Sequence, residues 1–214
     1  MAILFAGHET TSKTFLSALL HLKRNPHVEK KLRQEFNEVL LENGKFTVHD
    51  LDSIICNDKL EELEYLTYFI KEVLRHDPPA ARSLGYIAKS KFKLGDVFVP
   101  KGQVLVLNVL CSHYDEKQWR EPMKFIPERF DPSSEYFRTP EGKPRDPLAW
   151  APFTFGPRTC MGRALALMEL KILMIYFMLS IDYEIDDETL KNDNVSYAIL
   201  SPFALDIKIT KVFA

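Results

Sequence analysis

The residues with the clearest chemical potential lie in segment 153–162, which reads FTFGPRTCMG. Cys160 stands just before a strongly helical segment, and the positive end of that helix would stabilise a thiolate. Gly156 and Gly162 permit positive φ and let the backbone approach a flat ligand closely. Arg158 adds a permanent positive charge that suits a carboxylate on the ligand. The segment is therefore predicted to present one anionic sulfur to a metal or to an electrophile.

Two other interpretations of Cys160 stay open on this chemistry alone. A single cysteine is more often a small buried residue beside a turn than a ligand. It could also be a nucleophile, although no histidine near it in the sequence supplies a base, so that only a spatial neighbour would do so. Together with Cys56 and Cys111 it makes three cysteines without a C-x-x-C pair, which favours reduced thiols.

Composition is typical of a globular protein and excludes several functions. The chain has 214 residues, and 28 basic against 30 acidic residues leave a net charge of −2. A nucleic-acid partner is not expected, because binding to a phosphate backbone needs a positive surplus. The six histidines show no pair at zinc-site spacing and are expected on the surface or at helix caps. No apolar run reaches the roughly 18–20 residues that span a bilayer.

The elements that must position these residues begin with helices. Residues 2–22 contain no proline and predict one helix with recurring apolar positions. Asn25, as a cap, and Pro26, at the first helical position, begin a second helix. That helix is amphipathic and is predicted to end at the Asn-Gly pair 43–44.

Further helices follow before the chain changes character. Thr47 and Asp50 have the spacing of a capping box and predict a short helix that reaches about Cys56. A longer helix, stopped by the prolines at 78–79, carries apolar residues on one face: Leu63, Leu66, Ile70, Val73 and Leu74. Short β runs then surround the Gly-Asp turn at 95–96, which predicts a hairpin.

The last third of the chain combines an irregular stretch with one long helix. Recurrent prolines from 122 to 157 predict a long meander, and loops of this length are usually functional. Residues 164–179 are apolar on nearly every face, so a buried helix is expected there. Strand-like runs at 181–185 and 205–210 follow. The predicted fold class is mainly α with small β-sheets, an α+β protein.

Segment 153–162 resembles the cysteine loop of the haem-thiolate monooxygenases, the cytochromes P-450, whose motif is F-x-x-G-x-R-x-C-x-G. Every specified position is filled: Phe153, Gly156, Arg158, Cys160 and Gly162. The resemblance implies that these residues bind haem b, iron protoporphyrin IX, and that the Cys160 thiolate is its proximal iron ligand. It also implies electron donation from the sulfur, which favours O–O cleavage.

A second motif of the same family is similar to segment 6–11, AGHETT. In the family this stretch lies on the helix that crosses the distal face of the haem. The resemblance implies that small residues at Ala6 and Gly7 leave room for O2. It further implies that Glu9 and Thr10 deliver protons, since a carboxylate and a hydroxyl can both pass protons through ordered water.

Two scaffold motifs complete the resemblance. Glu72 and Arg75 match E-x-x-R, an i,i+3 ion pair, and Arg129 lies in a P-E-R-F segment whose arginine joins that pair in the family. A second E-x-x-R match at 135–138 is interpreted as a surface coincidence. Arg82 matches a position that often binds a haem propionate in relatives.

The resemblance covers residues 1–214 but only the C-terminal half of a family member, from the oxygen-activation helix onward. It implies insertion of one oxygen atom from O2 into a small apolar substrate, with electrons from NADPH through a separate reductase. The full-length relative is expected at the endoplasmic reticulum, with membrane contact through the missing N-terminal part. The alternative is a truncated, non-catalytic fragment that binds haem or a partner.

Overall fold

Helices form most of the fold, and the structure, a computed structural model, describes residues 2–41, 50–191 and 205–213. The helices are α1 (Ala2–Arg24), α2 (Pro26–Val39), α3 (Leu51–Ile54), α4 (Asn57–Glu62), α5 (Glu64–His76), α6 (Val109–His113), α7 (Arg163–Ser180) and α8 (Asp187–Lys191). The strands are β1 (Tyr86–Ile87), β2 (Phe92–Leu94), β3 (Val97–Val99), β4 (Val104–Leu105), β5 (Ile181–Glu184) and β6 (Lys208–Val212). The predicted α+β class is confirmed.

The main core lies between α1, α2, α5 and α7. Its largest contribution comes from α5, whose apolar residues recur at spacings of three and four and therefore share one face. All five residues predicted on that face, including Leu63 just before the helix, are buried. Phe36 of α2 and Met174 of α7 pack into the same cluster. Burial of this face, more than helix propensity, stabilises the short helix.

The start of α2 differs from the prediction in one detail. Pro26 does occupy the first turn, but the Asn25 side chain makes no capping hydrogen bond to α2. Its amide donates instead to the carbonyl oxygen of His21, at 2.9 Å. The Asn25 side chain thus adds a second hydrogen bond to a carbonyl at the end of α1, which also accepts the Asn25 N–H, and leaves the free N–H groups at the start of α2 uncapped. The predicted end of α2 at 43–44 and the predicted cap at Thr47 lie outside the described residues.

Each described sheet has two antiparallel strands. Strands β2 and β3 form the predicted hairpin, with Gly95 in its turn at φ 57°. Strand β1 pairs with β4, and β5 pairs with β6 near the C-terminus. The segment between α6 and α7 has no strand and only short 3₁₀ turns, so the predicted meander is confirmed.

The expectation that α7 is buried on nearly every face is wrong for its first half. Leu170, Met174 and Met178 are buried, but Leu165 and Met168 are 60% and 44% exposed. Leu173, further along the helix, is also 41% exposed, so exposed apolar side chains lie both in the turns that follow Cys160 and beyond them. None of the helices in the described ranges is long and apolar enough to cross a bilayer.

Candidate functional site

The cysteine loop is closed by its own backbone. The Cys160 N–H donates to the carbonyl oxygen of Phe153, at 2.9 Å, and the Thr159 N–H donates to that of Gly156, at 3.1 Å. Gly156 begins a 3₁₀ turn at φ 71°, a left-handed conformation that favours glycine. Gly162 has φ −87°, so the expectation of positive φ is wrong at that position. Gly162 serves instead as the residue that precedes α7.

One end of the loop is anchored in the core while the other is open. Phe153 packs against the main core and meets the edge of Trp150, with ring centroids 6.3 Å apart. The Arg163 guanidinium lies 5.8 Å and 5.9 Å from these two rings. Cys160, in contrast, is an exposed free thiol. The alternative that Cys160 is a small buried residue beside a turn is therefore wrong.

Several residues close to Cys160 in the sequence are apolar and exposed. Met161 is 88% exposed, and Phe155 and Leu165 are also exposed although all three are large apolar side chains. Arg158 is exposed and forms no ion pair with any residue that the structure describes. Exposed apolar side chains and an exposed cation without a described carboxylate partner, close together in the sequence, favour a binding surface at this loop.

Arg82 lies on a different element, where its backbone forms an isolated antiparallel bridge with Asn108. Its guanidinium is exposed and, among residues 2–41, 50–191 and 205–213, has no carboxylate partner. Like Arg158, it is available to an anionic group of a ligand.

The α1 residues form a second group of candidate site residues. Ala6 and Gly7 are exposed, and a Cβ added at Gly7 would meet no atom within 4 Å. The Thr10 hydroxyl donates to the Ala6 carbonyl oxygen, at 2.7 Å, and Glu9 lies 3.9 Å from the Lys13 ammonium. In the described part of the chain no hydrogen bond joins Ala6, Glu9 or Thr10 to the cysteine loop. Helix α1 nevertheless packs on α7, where Phe15 and Phe177 have ring centroids 5.5 Å apart.

The predicted scaffold cluster is fully buried. Arg75 donates from Nε to Glu72 Oε2 at 2.7 Å and from Nη2 to Oε1 at 2.9 Å, a bidentate pair. Arg129 donates from Nε to Glu72 Oε1 at 3.2 Å, and all three side chains have no exposed surface. The predicted three-residue cluster is confirmed. The second E-x-x-R match is also confirmed as a surface feature, since Glu135 is 74% exposed and lies near Arg120.

His113 links this cluster to Ala151, two residues before the cysteine loop, and the sequence did not predict this contact. It is completely buried, so the expectation of a surface histidine is wrong here. Its Nε2 accepts the Ala151 N–H at 3.0 Å, which leaves Nδ1 to donate to the Arg75 carbonyl oxygen at 2.9 Å. Burial lowers the pKa of His113 to about 4, so the ring stays neutral.

A sequence model of the Cytochrome P450 family matches residues 1–203. The chain belongs to the cytochrome P450 family. It is similar to Cytochrome P450 3A31 of Mesocricetus auratus, with 37% identity over 172 residues, which are 80% of this chain and 31% of the relative. It is also similar to Cytochrome P450 3A5 of Homo sapiens, with 33% identity over 186 residues, or 87% and 34% of the two chains. The chain spans about a third of the length of these curated relatives.

The described residues fit the haem that this cytochrome P450 family implies. An exposed sulfur is the donor that a thiolate-ligated iron requires, and exposed apolar side chains surround it in the sequence. Arg158 and Arg82 are exposed cations with no carboxylate partner among the described residues, and cations of this kind suit the carboxylate substituents of a porphyrin. The motif in the sequence is enough to find Cys160 and Arg158. The hydrogen bonds of His113 to Arg75 and Ala151 can be found only in the folded structure.

Proposed function

We propose that this chain provides the cysteine-ligand part of a haem-thiolate monooxygenase. The reaction would insert one oxygen atom from O2 into a small apolar organic substrate. The observation that supports this most directly is the exposed Cys160 thiol in a loop that is closed by its own backbone and anchored through Phe153. Residues 1–214 would form a partial domain that begins at the oxygen-activation helix, and the segment missing relative to the family would complete the substrate pocket.

Bound haem would supply oxygen activation, and the residues of the loop would hold and tune it. Cys160 would bind the iron as a thiolate, while Phe153 would hold the loop against the core. Gly156 would keep the turn that precedes the ligand, and Gly162 would start α7 without a side chain next to the sulfur. A Cβ at Gly162 would lie 3.8 Å from Sγ, an ordinary contact, and φ −87° is accessible to other residues, so the proposal for Gly162 rests on the motif. Arg158 would bind a propionate.

The α1 residues would serve the distal side. Ala6 would leave space for O2, and Glu9 and Thr10 would deliver protons to it. Glu9 is partly exposed and can exchange protons with solvent. The Thr10 hydroxyl donates to Ala6 in the helix, and its oxygen keeps lone pairs that can accept from a water. Arg82 would bind a second propionate.

Electrons would come from NADPH through a separate NADPH-dependent reductase. The full-length protein would be located at the endoplasmic reticulum membrane, with contact through the segment that precedes the region matched here. No nucleic-acid role is proposed. A non-catalytic haem-binding or interaction fragment is the alternative that the following experiment addresses.

Carbon monoxide difference spectra of the reduced chain, reconstituted with haem, test the ligand. The chain should show the red-shifted Soret band of thiolate-ligated haem, and Cys160→Ala or Cys160→His should abolish it. Cys56→Ala and Cys111→Ala are matched controls, because both thiols are also exposed and should leave the band unchanged. A histidine-type band, or no haem uptake, would exclude the monooxygenase and favour the non-catalytic alternative.

Proton delivery is tested by Thr10→Ala in the full-length protein. We expect O2 consumption to continue while product formation falls, because the Thr10 hydroxyl would no longer order the water that passes protons. The measurement is the ratio of product formed to O2 consumed. Thr14→Ala is the control, since its buried hydroxyl also donates to a carbonyl one turn back. An unchanged ratio for Thr10→Ala would contradict the role.

A further inference from the structure

A buried carboxylate lies between two imidazoles where α1 passes the C-terminal end of α5. His21 Nε2 is 2.7 Å from Asp77 Oδ2, and His76 Nδ1 is 2.8 Å from Asp77 Oδ1. The side chains of His21, His76 and Asp77 are 3%, 14% and 7% exposed. The three donor atoms all lie within 4.8 Å of one another. Two imidazole nitrogens and a carboxylate form a donor set that is found at protein Zn²⁺ sites.

We propose that His21, His76 and Asp77 bind a divalent transition-metal ion, specifically Zn²⁺, that ties α1 to α5. Each imidazole nitrogen faces a different oxygen of the same carboxylate. One ion could therefore take a nitrogen from each imidazole and oxygen from the carboxylate, which makes three protein ligands. Because the three side chains are almost fully buried, such an ion would serve the structure of the chain and not bind a substrate.

The groups around the three ligands have the arrangement that orients metal ligands in proteins. The Ser17 hydroxyl donates to Asp77 Oδ2. The other ring nitrogen of His76, Nε2, donates to the Met123 carbonyl oxygen at 3.2 Å. A ligating histidine commonly donates its second N–H to a carbonyl, and a ligating carboxylate is commonly hydrogen-bonded. Two of the three ligands therefore have outer partners already in place.

A metal binds carboxylate and neutral imidazole, so an ion would replace the protons that His21 Nε2 and His76 Nδ1 direct at Asp77. Burial by itself would raise the pKa of Asp77, but hydrogen bonds from His21 and His76 outweigh it and lower that pKa. Burial lowers the pKa of His21 more than Asp77 raises it. The His21 ring stacks on Phe125 at 4.0 Å, and its Nδ1 has no hydrogen-bond partner in the described ranges. The ring can therefore shift towards an ion without breaking another bond.

This site is separate from the proposed haem site. Ser17 and His21 lie seven and eleven residues beyond Thr10, about 10 and 16 Å along the helix axis. His76 directly follows Arg75 of the buried cluster. A bound ion would thus join the helix with the oxygen-activation motif to the helix that holds the cysteine-loop scaffold, and its binding does not depend on haem.

Zinc titration of the metal-stripped chain tests the site, with free zinc followed by a chromogenic chelator. The three exposed thiols are first blocked with iodoacetamide, because they could bind zinc themselves. We expect one Zn²⁺ per chain. His76→Ala and Asp77→Asn should weaken binding by about 100-fold or more, and Ser17→Ala by about 10-fold, since loss of an outer partner costs about 10- to 100-fold. His27→Ala, at an exposed histidine of α2, should change nothing.

Circular dichroism verifies that each variant is folded, and a second measurement needs no variant. X-ray absorption at the zinc edge of the thiol-blocked wild-type chain should show only nitrogen and oxygen ligands, with imidazole scattering. Absence of zinc uptake by the wild-type chain would overturn the proposal. A spectrum without imidazole, or equal affinity in folded His76→Ala, would overturn it as well.

Discussion

The buried cluster and the cysteine loop contain the same kind of charged group in opposite environments. In the cluster, Arg75 and Arg129 are fully buried and both donate to Glu72. In the loop, Arg158 is exposed and has no carboxylate partner among the described residues. A buried guanidinium must be paired, because desolvating an unpaired charge is costly. An exposed guanidinium is solvated by water and stays available to a ligand. The comparison separates arginines that build the scaffold from arginines available to a cofactor.

The largest expected effect is on stability and comes from removing the carboxylate of the buried cluster. Glu72→Ala leaves two buried guanidinium groups without their carboxylate and should lower the free energy of unfolding by about 3–5 kcal/mol. Denaturant unfolding measures it. Glu135→Ala is the matched control, because the other E-x-x-R glutamate is exposed and should change stability by less than about 0.5 kcal/mol. Equal losses of stability in the two variants would show that burial of the glutamate adds nothing to its contribution.

The role of the exposed arginine in the cysteine loop is tested by Arg158→Gln. Stability should change by less than about 0.5 kcal/mol, since the guanidinium has no described partner. Haem affinity should fall about 10- to 100-fold, as expected for loss of a charged hydrogen bond worth about 1.5–3 kcal/mol. Haem titration and thermal unfolding give the two quantities. Arg138→Gln, at another exposed arginine, is the control, and an equal loss of affinity there would contradict a specific role for Arg158.

The smallest expected effect is on the pH dependence of stability and concerns His113. This residue bonds Arg75 of the buried cluster and Ala151, just before the cysteine loop. Its pKa is lowered from 6.5 to about 4 by burial, so the unfolded chain binds more protons between these pH values. The contribution of His113 to the free energy of unfolding is fully present above about pH 6.5 and is lost as the pH falls towards 4. Between pH 7 and pH 5 we expect a loss of about 2 kcal/mol.

Unfolding free energies of the wild-type chain and of His113→Gln at pH 7 and pH 5 measure this loss. The variant should lose about 2 kcal/mol less than the wild type over that interval. His27→Gln is the matched control, because His27 is exposed and should follow the wild-type pH dependence. The same pH dependence in His113→Gln and in the wild type would contradict the assignment.

Local patterns predicted most elements because their causes lie within a few residues. The apolar spacing that predicts α5 and the Gly-Asp turn that predicts the β2–β3 hairpin act over three to six positions. Errors arose where a second element intervened. The Asn25 side chain lies between two helix ends, and it donates to the His21 carbonyl oxygen at the end of α1. The exposure of Leu165 and Met168 depends on which faces of α7 other helices cover.

The sequence alone determined the helical class, the hairpin and the identity of the cysteine loop, because periodicity, turn residues and a ten-residue motif are local properties. Only the tertiary structure decided that His113 joins Arg75 to Ala151 and that Asp77 meets His21, 56 residues earlier in the chain. These contacts join residues that are far apart in sequence and leave no periodic signal. Burial and hydrogen bonding, which set the pKa values of these groups, exist only once the helices have packed.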